Sequence, residues 1–428
     1  MELAKFTLIR FRKIDVPSVI WIVIISTFVA MVGEVSILGY QLTGWAWVIP
    51  LGTSIFMILR RPLRVNFPSR IWFPWICLVF VYGINSEMSS LQRSIMLLCP
   101  IVVGIAVSTC SIREFQLQGF LKLIELLLFA LLIIVIIRTG LLLRGMLPHS
   151  TGLAPQSITA ALLCTIFAAR YPINGKTDLY RWLMGMIIPV IALTRMAIIA
   201  AGLTMPLTFA SMKIKQRLIL FTIIAALGIS FFYTERMQSK MFYSGSGTLE
   251  DMRLSNPDLF TAGRSRLWDL IREEIRVKPV WGHGANASER FVLSVTWGTL
   301  THPHNDWLRL LYDYGFIGTF IFAFCLVWQV IHLLNRAKRT SGESRILLYA
   351  GASSFLPFVL LMFTDNIILY AAFFGNLQFA IVGLVYAAQK TQEVDRWVYC
   401  QMSAKAALQK FSPPEQNYCE QQKFQPRA

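Results

Sequence analysis

Thr301-His302-Pro303-His304-Asn305-Asp306-Trp307-Leu308-Arg309 leads into the apolar run Phe316-Ile317-Gly318-Thr319-Phe320-Ile321-Phe322-Ala323-Phe324-Cys325-Leu326-Val327-Trp328-Gln329-Val330-Ile331-His332-Leu333-Leu334. The run is long enough to cross a bilayer as a helix. Two of the chain's five histidines sit at its foot. Pro303 restrains the backbone between them and disfavours helix at His302. Asn305 or Asp306 can then cap a helix that begins near Trp307. A helix start offers unpaired N–H groups and a positive dipole end, which suits an anion. The stretch therefore reads either as an interfacial cap with Trp307 as a membrane anchor, or as a titratable group beside an anion-friendly helix end.

The rest of the chain supports the membrane setting. It has 428 residues, 55% hydrophobic and 15% charged, against roughly 25% charged residues in soluble domains. Apolar segments fall near 18–33, 37–59, 71–84, 94–110, 119–137, 157–169, 182–194, 196–210, 218–233, 315–334, 346–363 and 371–388. The fold class predicted is an all-α polytopic membrane protein of about 12 transmembrane helices, with one large external loop containing short helices, which the resemblance given below makes periplasmic. The boundaries are 1–233 for the N-terminal membrane helices, 234–307 for the loop, 308–388 for the C-terminal membrane helices and 389–428 for a cytoplasmic tail, read as a short helix and a polar disordered end. No cleavable signal peptide is expected, because the segment after the basic stretch Met1 to Lys13 has a membrane helix's length and no small-residue cleavage site.

The net charge of +17 is a topology signal and not a nucleic-acid one. Segments 1–17, 60–70, 111–122, 170–181, 211–217, 335–345 and 389–428 hold 26 of the 40 Lys and Arg, whereas 234–307 balances nine basic with nine acidic residues. Excess positive charge on alternate loops marks the cytoplasmic side. Twelve crossings with the N-terminus inside put every one of those basic segments in the cytoplasm and 234–307 outside. None of the seven cysteines falls in 234–307, so the loop is not disulfide-stapled, and no metal-type cysteine spacing exists.

The two halves of 182–210 are short for membrane crossings, and one long span through them would place the basic loops 170–181 and 211–217 on opposite sides. Two short spans, or a hairpin, keep the basic loops on either side together and put Thr194-Arg195 at the outer tip. Arg195 interrupts 26 otherwise uncharged residues, and an ionisable group in such a segment is a functional candidate by default. In the loop, Ser244, Gly245, Ser246 and Gly247 predict a flexible beginning. Thr261 to Val277 then has the period of an amphipathic helix, with Leu267, Trp268, Ile271 and Ile275 on one face. Arg264 falls on that apolar face, as a snorkelling residue or as a group needing a partner there. Arg266, Asp269, Glu273 and Arg276 fall on the far face. Two guanidinium groups suit a phosphate-rich ligand, and an imidazole suits proton abstraction near neutral pH.

At these residues the sequence resembles the O-antigen ligase and polymerase family of bacterial inner-membrane glycosyltransferases. The matching stretches are Leu193-Thr194-Arg195, Thr261-Ala262-Gly263-Arg264 with Leu267-Trp268, Pro279-Val280-Trp281-Gly282-His283-Gly284, and His304-Asn305 with Leu308, Leu311, Gly315 and Gly318. The family commonly has Ser where Thr194 stands.

The resemblance implies a donor glycan on undecaprenyl pyrophosphate at the periplasmic face. The acceptor is a saccharide or lipid A-core, and transfer is inverting, without metal or cofactor. It casts His304 as general base, and Arg195 and Arg264 as the residues that hold the pyrophosphate. His302, Asn305 and Asp306 are substrate-binding candidates. His283 reads as structural, because of the glycines beside it. The lipid bilayer and other polysaccharide-assembly membrane proteins are the expected partners, and nucleic acid is not. A zinc site from His283, His302 and His304 lacks cysteine help and a regular helix-based spacing. The alternative function is a transporter or flippase of lipid-linked saccharides without chemistry, but such proteins usually carry paired repeats with intramembrane charges in both halves.

Overall fold

The computed structural model describes residues 16–32, 36–37, 40–41, 45–62, 65–84, 87–144, 146, 152–239, 241–242, 246–253 and 262–411. Expectations for Met1 to Lys13, Ser244, Gly245, Thr261 and the chain beyond Phe411 lie outside them. The fold is helical: α1 Ser18–Val32, α2 Val48–Arg60, α3 Ser69–Ile84, α4 Met88–Ser108, α5 Glu114–Leu143, α6 Ala154–Asn174, α7 Lys176–Ile191, α8 Arg195–Thr204 and α9 Ile214–Phe232 come first. After them come α10 Glu235–Ser239, α11 Ala262–Val277, α12 Ala287–Val295, α13 Asp306–Lys338, α14 Gly342–Ser353, α15 Phe355–Leu361 and α16 Asn376–Phe411. A two-residue ladder pairs Ser36–Ile37 with Tyr40–Gln41, and a π-turn, Ala371–Gly375, precedes α16.

Eleven of the twelve apolar segments lie on helical elements, while 37–59 carries the ladder residues Ile37, Tyr40 and Gln41 before α2 begins at Val48. Among the described residues, six stretches are long and apolar enough to cross a membrane: Met88–Ser108, Glu114–Leu143, Ile214–Phe232, Asp306–Lys338, Gly342–Leu361 and Ala371–Gln389. Helices α1, α2, α3 and α8 are apolar but shorter. Residues 182–210 divide into α7 and α8 across a turn at Ala192–Thr194, where Leu193 takes φ 52°. The helix expected at the start of the tail is continuous with the last apolar segment. Helix α16 runs unbroken from the last apolar segment to Phe411, because no proline or glycine interrupts residues 384–411.

Helix α6 is the centre of the bundle. Gln156 to Arg170 is buried on every side, and its small residues let neighbouring backbones approach closely. Opposite it, a Cβ at Gly185 of α7 would lie 2.5 Å from Cys164 Sγ. In the same way Gly383 of α16 faces the Gly104 carbonyl of α4 with no room for a side chain. At one end of the bundle Arg170 binds Asp178 (3.1 Å) and Glu343, while Arg181 binds Asp178 (2.8 Å) and Glu125 (3.0 Å). Four helices, α5, α6, α7 and α14, are tied there through one fully buried carboxylate. By contrast α9 buries no residue, and its apolar surface on all sides suits contact with lipid.

A second apolar cluster lies at the other end of α13. Leu267, Ile271 and Ile275 of α11 pack there with Ala287, Val292, Leu308 and Tyr312, so the apolar face read from the sequence is the buried one. Helix α13 breaks at Gly315 (φ 65°, ψ −168°). The break frees backbone groups, and four of them find partners in the 279–284 turn. The amides of Phe316 and Ile317 donate to the carbonyls of Pro279 (2.8 Å) and Val280 (3.2 Å), and those of His283 and Gly284 donate to Tyr312 (2.8 Å) and Asp313 (2.9 Å). The 279–284 turn is thereby stitched across the kink.

Only glycine tolerates the dihedrals at Gly315 without strain, and a Cβ there would run into the Val280 carbonyl. Gly315→Ala should therefore lower the thermal unfolding temperature of the detergent-purified protein markedly, by the equivalent of at least about 2 kcal/mol. Gly140→Ala, in open space on α5, should leave that temperature unchanged or raise it slightly.

Candidate functional site

His304 sits just before α13 in the left-handed region (φ 52°), a conformation that a non-glycine residue keeps only when its surroundings hold it. Here they do. Its amide donates to Asn366 Oδ1 (3.1 Å). Next along the chain, Asn305 caps α13 by accepting from the Leu308 amide (3.1 Å). Asp306, fully buried, donates its amide to the Met362 carbonyl (2.7 Å) and accepts from the Ile368 amide at Oδ2 (2.9 Å). Segment 362–370 is thus strapped over the start of α13. Asn305 and Asp306, singled out as substrate-binding candidates, face inward and hold the loop that presents His304.

The strap also brings polar side chains to the imidazole. His304 Nδ1 lies 3.6 Å from Asp365 Oδ1 and 3.2 Å from Asn366 Nδ2. Tyr370 Oη donates to the same Asp365 oxygen (2.8 Å). Burial pushes the Asp365 carboxyl up, but hydrogen bonds from His304, Tyr370 and the Asn366 amide outweigh it and hold the group below its ordinary value. Asp365 is therefore a carboxylate at neutral pH, fixed behind a histidine. Sequence reading passed over Asp365, Asn366 and Tyr370. The signal was there: Asp365-Asn366 is a polar pair between two apolar runs, and the loop alternation that groups the basic segments puts it on the side of 234–307.

Arg264 lies on α11, whose next turn meets the His304 loop. One helical turn beyond it, Trp268 Nε1 donates to the Pro303 carbonyl (2.7 Å), the residue before His304. Arg264 is half-buried and Arg266 exposed, as the helical period predicts. Arg195 begins α8, two residues after the strained Leu193. Its guanidinium Nη1 lies 2.8 Å from Met241 Sδ, and burial first, then the positive charge of Arg264, disfavours its charged form. Two cations that repel each other in a partly desolvated place favour an anion between them.

His302 points the other way, towards Glu289 of α12 (3.8 Å). Glu289 takes two contacts from Arg93 of α4, from Nε (3.2 Å) and Nη2 (3.3 Å). Burial, then the charge of Arg309, bring the His302 imidazole down to about 4, so it is neutral at pH 7. Arg309 is buried and bonds Asn286 (2.9 Å), while Asp313 accepts from the Ser288 amide (2.7 Å). Together they fix the start of α12 on α13. His283 Nε2 contacts the Glu274 carbonyl (3.0 Å) and its ring stacks on Tyr312 (4.4 Å), in keeping with a structural role. Among the described residues no three His, Cys, Asp or Glu side chains gather as a metal site would need.

Residues 179–323 match a protein family described as O-Antigen ligase. That stretch includes Arg195, Arg264, His302 and His304 and ends inside α13. A search among curated proteins gives no match to this chain.

The folded His302 gives up its proton below the ordinary histidine value near 6.5, and Glu289 is held below its own by Arg93 against the opposing effect of burial. The folded protein thus binds fewer protons than the unfolded chain in acid. Stability should fall as pH drops from about 6.5 towards 4, by up to roughly 3 kcal/mol from His302. Thermal unfolding across that range checks this, and His302→Gln should flatten the slope.

Proposed function

We propose that this chain, whose residues 179–323 support its place in the O-antigen ligase and polymerase family, transfers a glycan from undecaprenyl pyrophosphate to a sugar hydroxyl at the periplasmic face of the bacterial inner membrane. Polysaccharide assembly of the O-antigen ligase or polymerase type is the function that the match indicates. The donor, the face and the chemistry are our reading. The observation that carries it is the setting of His304: Asp365 backs the imidazole, and α11, which bears Arg264, meets the same loop through Trp268 and Pro303.

In this reading His304 is the general base. With its Nδ1–H turned from the Asn366 amide to the Asp365 carboxylate, Nε2 is left unprotonated to receive a proton, the arrangement by which a carboxylate orients a catalytic imidazole. The acceptor hydroxyl gives its proton to Nε2, and its oxygen forms a bond to the anomeric carbon from the face opposite the leaving group. The bond from that carbon to the phosphate oxygen breaks, its electron pair leaves with the lipid diphosphate, and the configuration inverts. Arg195 and Arg264 neutralise charge growing on the diphosphate, so the cationic stabilisation comes from side chains rather than from a metal ion. Asn305, Asp306 and segment 362–370 hold the base in place.

Polymerase and ligase differ only in the acceptor, and we favour the polymerase. The segment 234–307, read as the periplasmic loop, has 74 residues and adds no domain that would suit a protein acceptor. Chain extension by the purified protein from lipid-linked repeat units alone supports this; a requirement for added core lipid assigns the ligase.

His304→Ala should abolish transfer while membrane insertion and lipid-substrate binding persist. Asp365→Asn, which keeps volume and loses charge, should cost roughly 10²-fold or more in rate. Arg264→Lys should fail badly, because an ammonium cannot reproduce bidentate contact, whereas Arg266→Lys should be tolerated. Glycan products from membranes of each variant decide this, and undiminished transfer by His304→Ala would remove the base.

A further inference from the structure

Glu289 and Arg290 are neighbours on α12 but serve opposite sides. Glu289 faces His302 and Arg93, whereas Arg290 reaches Glu87 at the start of α4 (3.4 Å). Between Arg290, Glu87, Tyr82 of α3 and the His283–Gly284 turn lies an open cleft of about 410 Å³, within the roughly 300–1,000 Å³ of small-molecule sites. Its wall is rigid. Tyr82 Oη donates to the Trp281 carbonyl (2.6 Å), the His283 ring lies stacked on Tyr312, and the Gly284 amide is bonded to Asp313. Gly284 (φ 107°) would meet nothing within 4 Å if it carried a Cβ, so the turn presents bare backbone to the cleft.

We propose that this cleft is a saccharide subsite that holds the acceptor glycan one or more sugar units away from the reacting hydroxyl. The lining combines one carboxylate, one guanidinium, an imidazole and a phenol ring. That set nearly balances in charge and offers both donors and acceptors, which suits vicinal hydroxyls better than a phosphate. The aromatic ring of Tyr82 and the 60% exposed Trp281 beside it provide amphipathic surfaces for the apolar face of a sugar. The cleft is built from α3, α4, α12 and the 282–285 turn, whereas the arginine pair comes from α8 and α11. Donor diphosphate and acceptor sugar therefore enter on different elements, with the His302–His304 loop joined to α11 through Pro303 and to the Glu289 side of α12 through His302. The assignment of an acceptor rests on the glycan-transfer reading above.

The test uses the full-length protein in lipid nanodiscs and, as probe, a soluble oligosaccharide of one to three repeat units released from the host's own surface polysaccharide. Saturation-transfer NMR should detect binding to the wild type. Arg290→Ala and Glu87→Gln should each weaken it at least tenfold with unchanged thermal unfolding, because these exposed side chains form a surface pair of little worth to the fold. His304→Ala should bind the probe as the wild type does. In transfer assays Arg290→Ala should raise the KM for acceptor at least tenfold and leave the KM for lipid-linked donor unchanged. No binding by the wild type, equal binding by the cleft variants, or a shift in donor KM alone would overturn the subsite. Undiminished transfer by His304→Ala would instead sink the catalytic reading and leave the binding result standing.

Discussion

The exchange of backbone hydrogen bonds at Gly315 is the constraint on which the site depends. A helix that breaks must find new partners for its freed amides and carbonyls, since leaving them buried and unpaired costs as much as a lost hydrogen bond each. Here the 279–284 turn supplies both kinds, donating from His283 and Gly284 and accepting at Pro279 and Val280. That turn joins α11 to α12, so four bonds fix both short helices against α13. The contacts around the loop follow from this placement: Trp268 meets Pro303, and Glu289 meets His302.

The second constraint comes from the far side of a helical hairpin. Segment 362–370 closes on the start of α13 through Met362, Asn366 and Ile368, and it holds His304 in a backbone conformation that the residue would not keep by itself. The same segment supplies Asp365. Geometry and electrostatics at the imidazole thus have one source, and the two polar residues after His304 in sequence are spent on holding the loop. Apolar residues of α11 and α12 complete the support by packing on Leu308 and Tyr312.

Much of this was legible in the residues themselves. Apolar runs mark the helices because a bilayer leaves the backbone few alternatives, and the 3.6-residue period separates Arg264 from Arg266 correctly. Asn305 as a cap follows from its place before the apolar run. The kink was not legible: Gly315 sits between Tyr314 and Phe316 in a stretch with helical character, and nothing local says that its φ is positive. Asp365 was missed for a different reason. A residue 61 positions beyond His304 is brought to it by the return of α14 and α15 along α13, which no periodicity encodes. The unbroken length of α16 past the apolar segment likewise reflects the absence of a stop signal, and a search for apolar runs does not register absences.

The His304–Asp365 pair spans α13, α14 and α15, so its two halves are made at different moments. A chain still being synthesised carries His304 and both arginines well before Asp365 exists. Until the final hairpin has entered the membrane and its connecting strap has closed, the imidazole has no carboxylate behind it and no side-chain amide to hold its backbone. The pair is therefore completed last. A partly made chain carries both arginines before His304 has its carboxylate, so the order of synthesis sets the order in which the site is assembled.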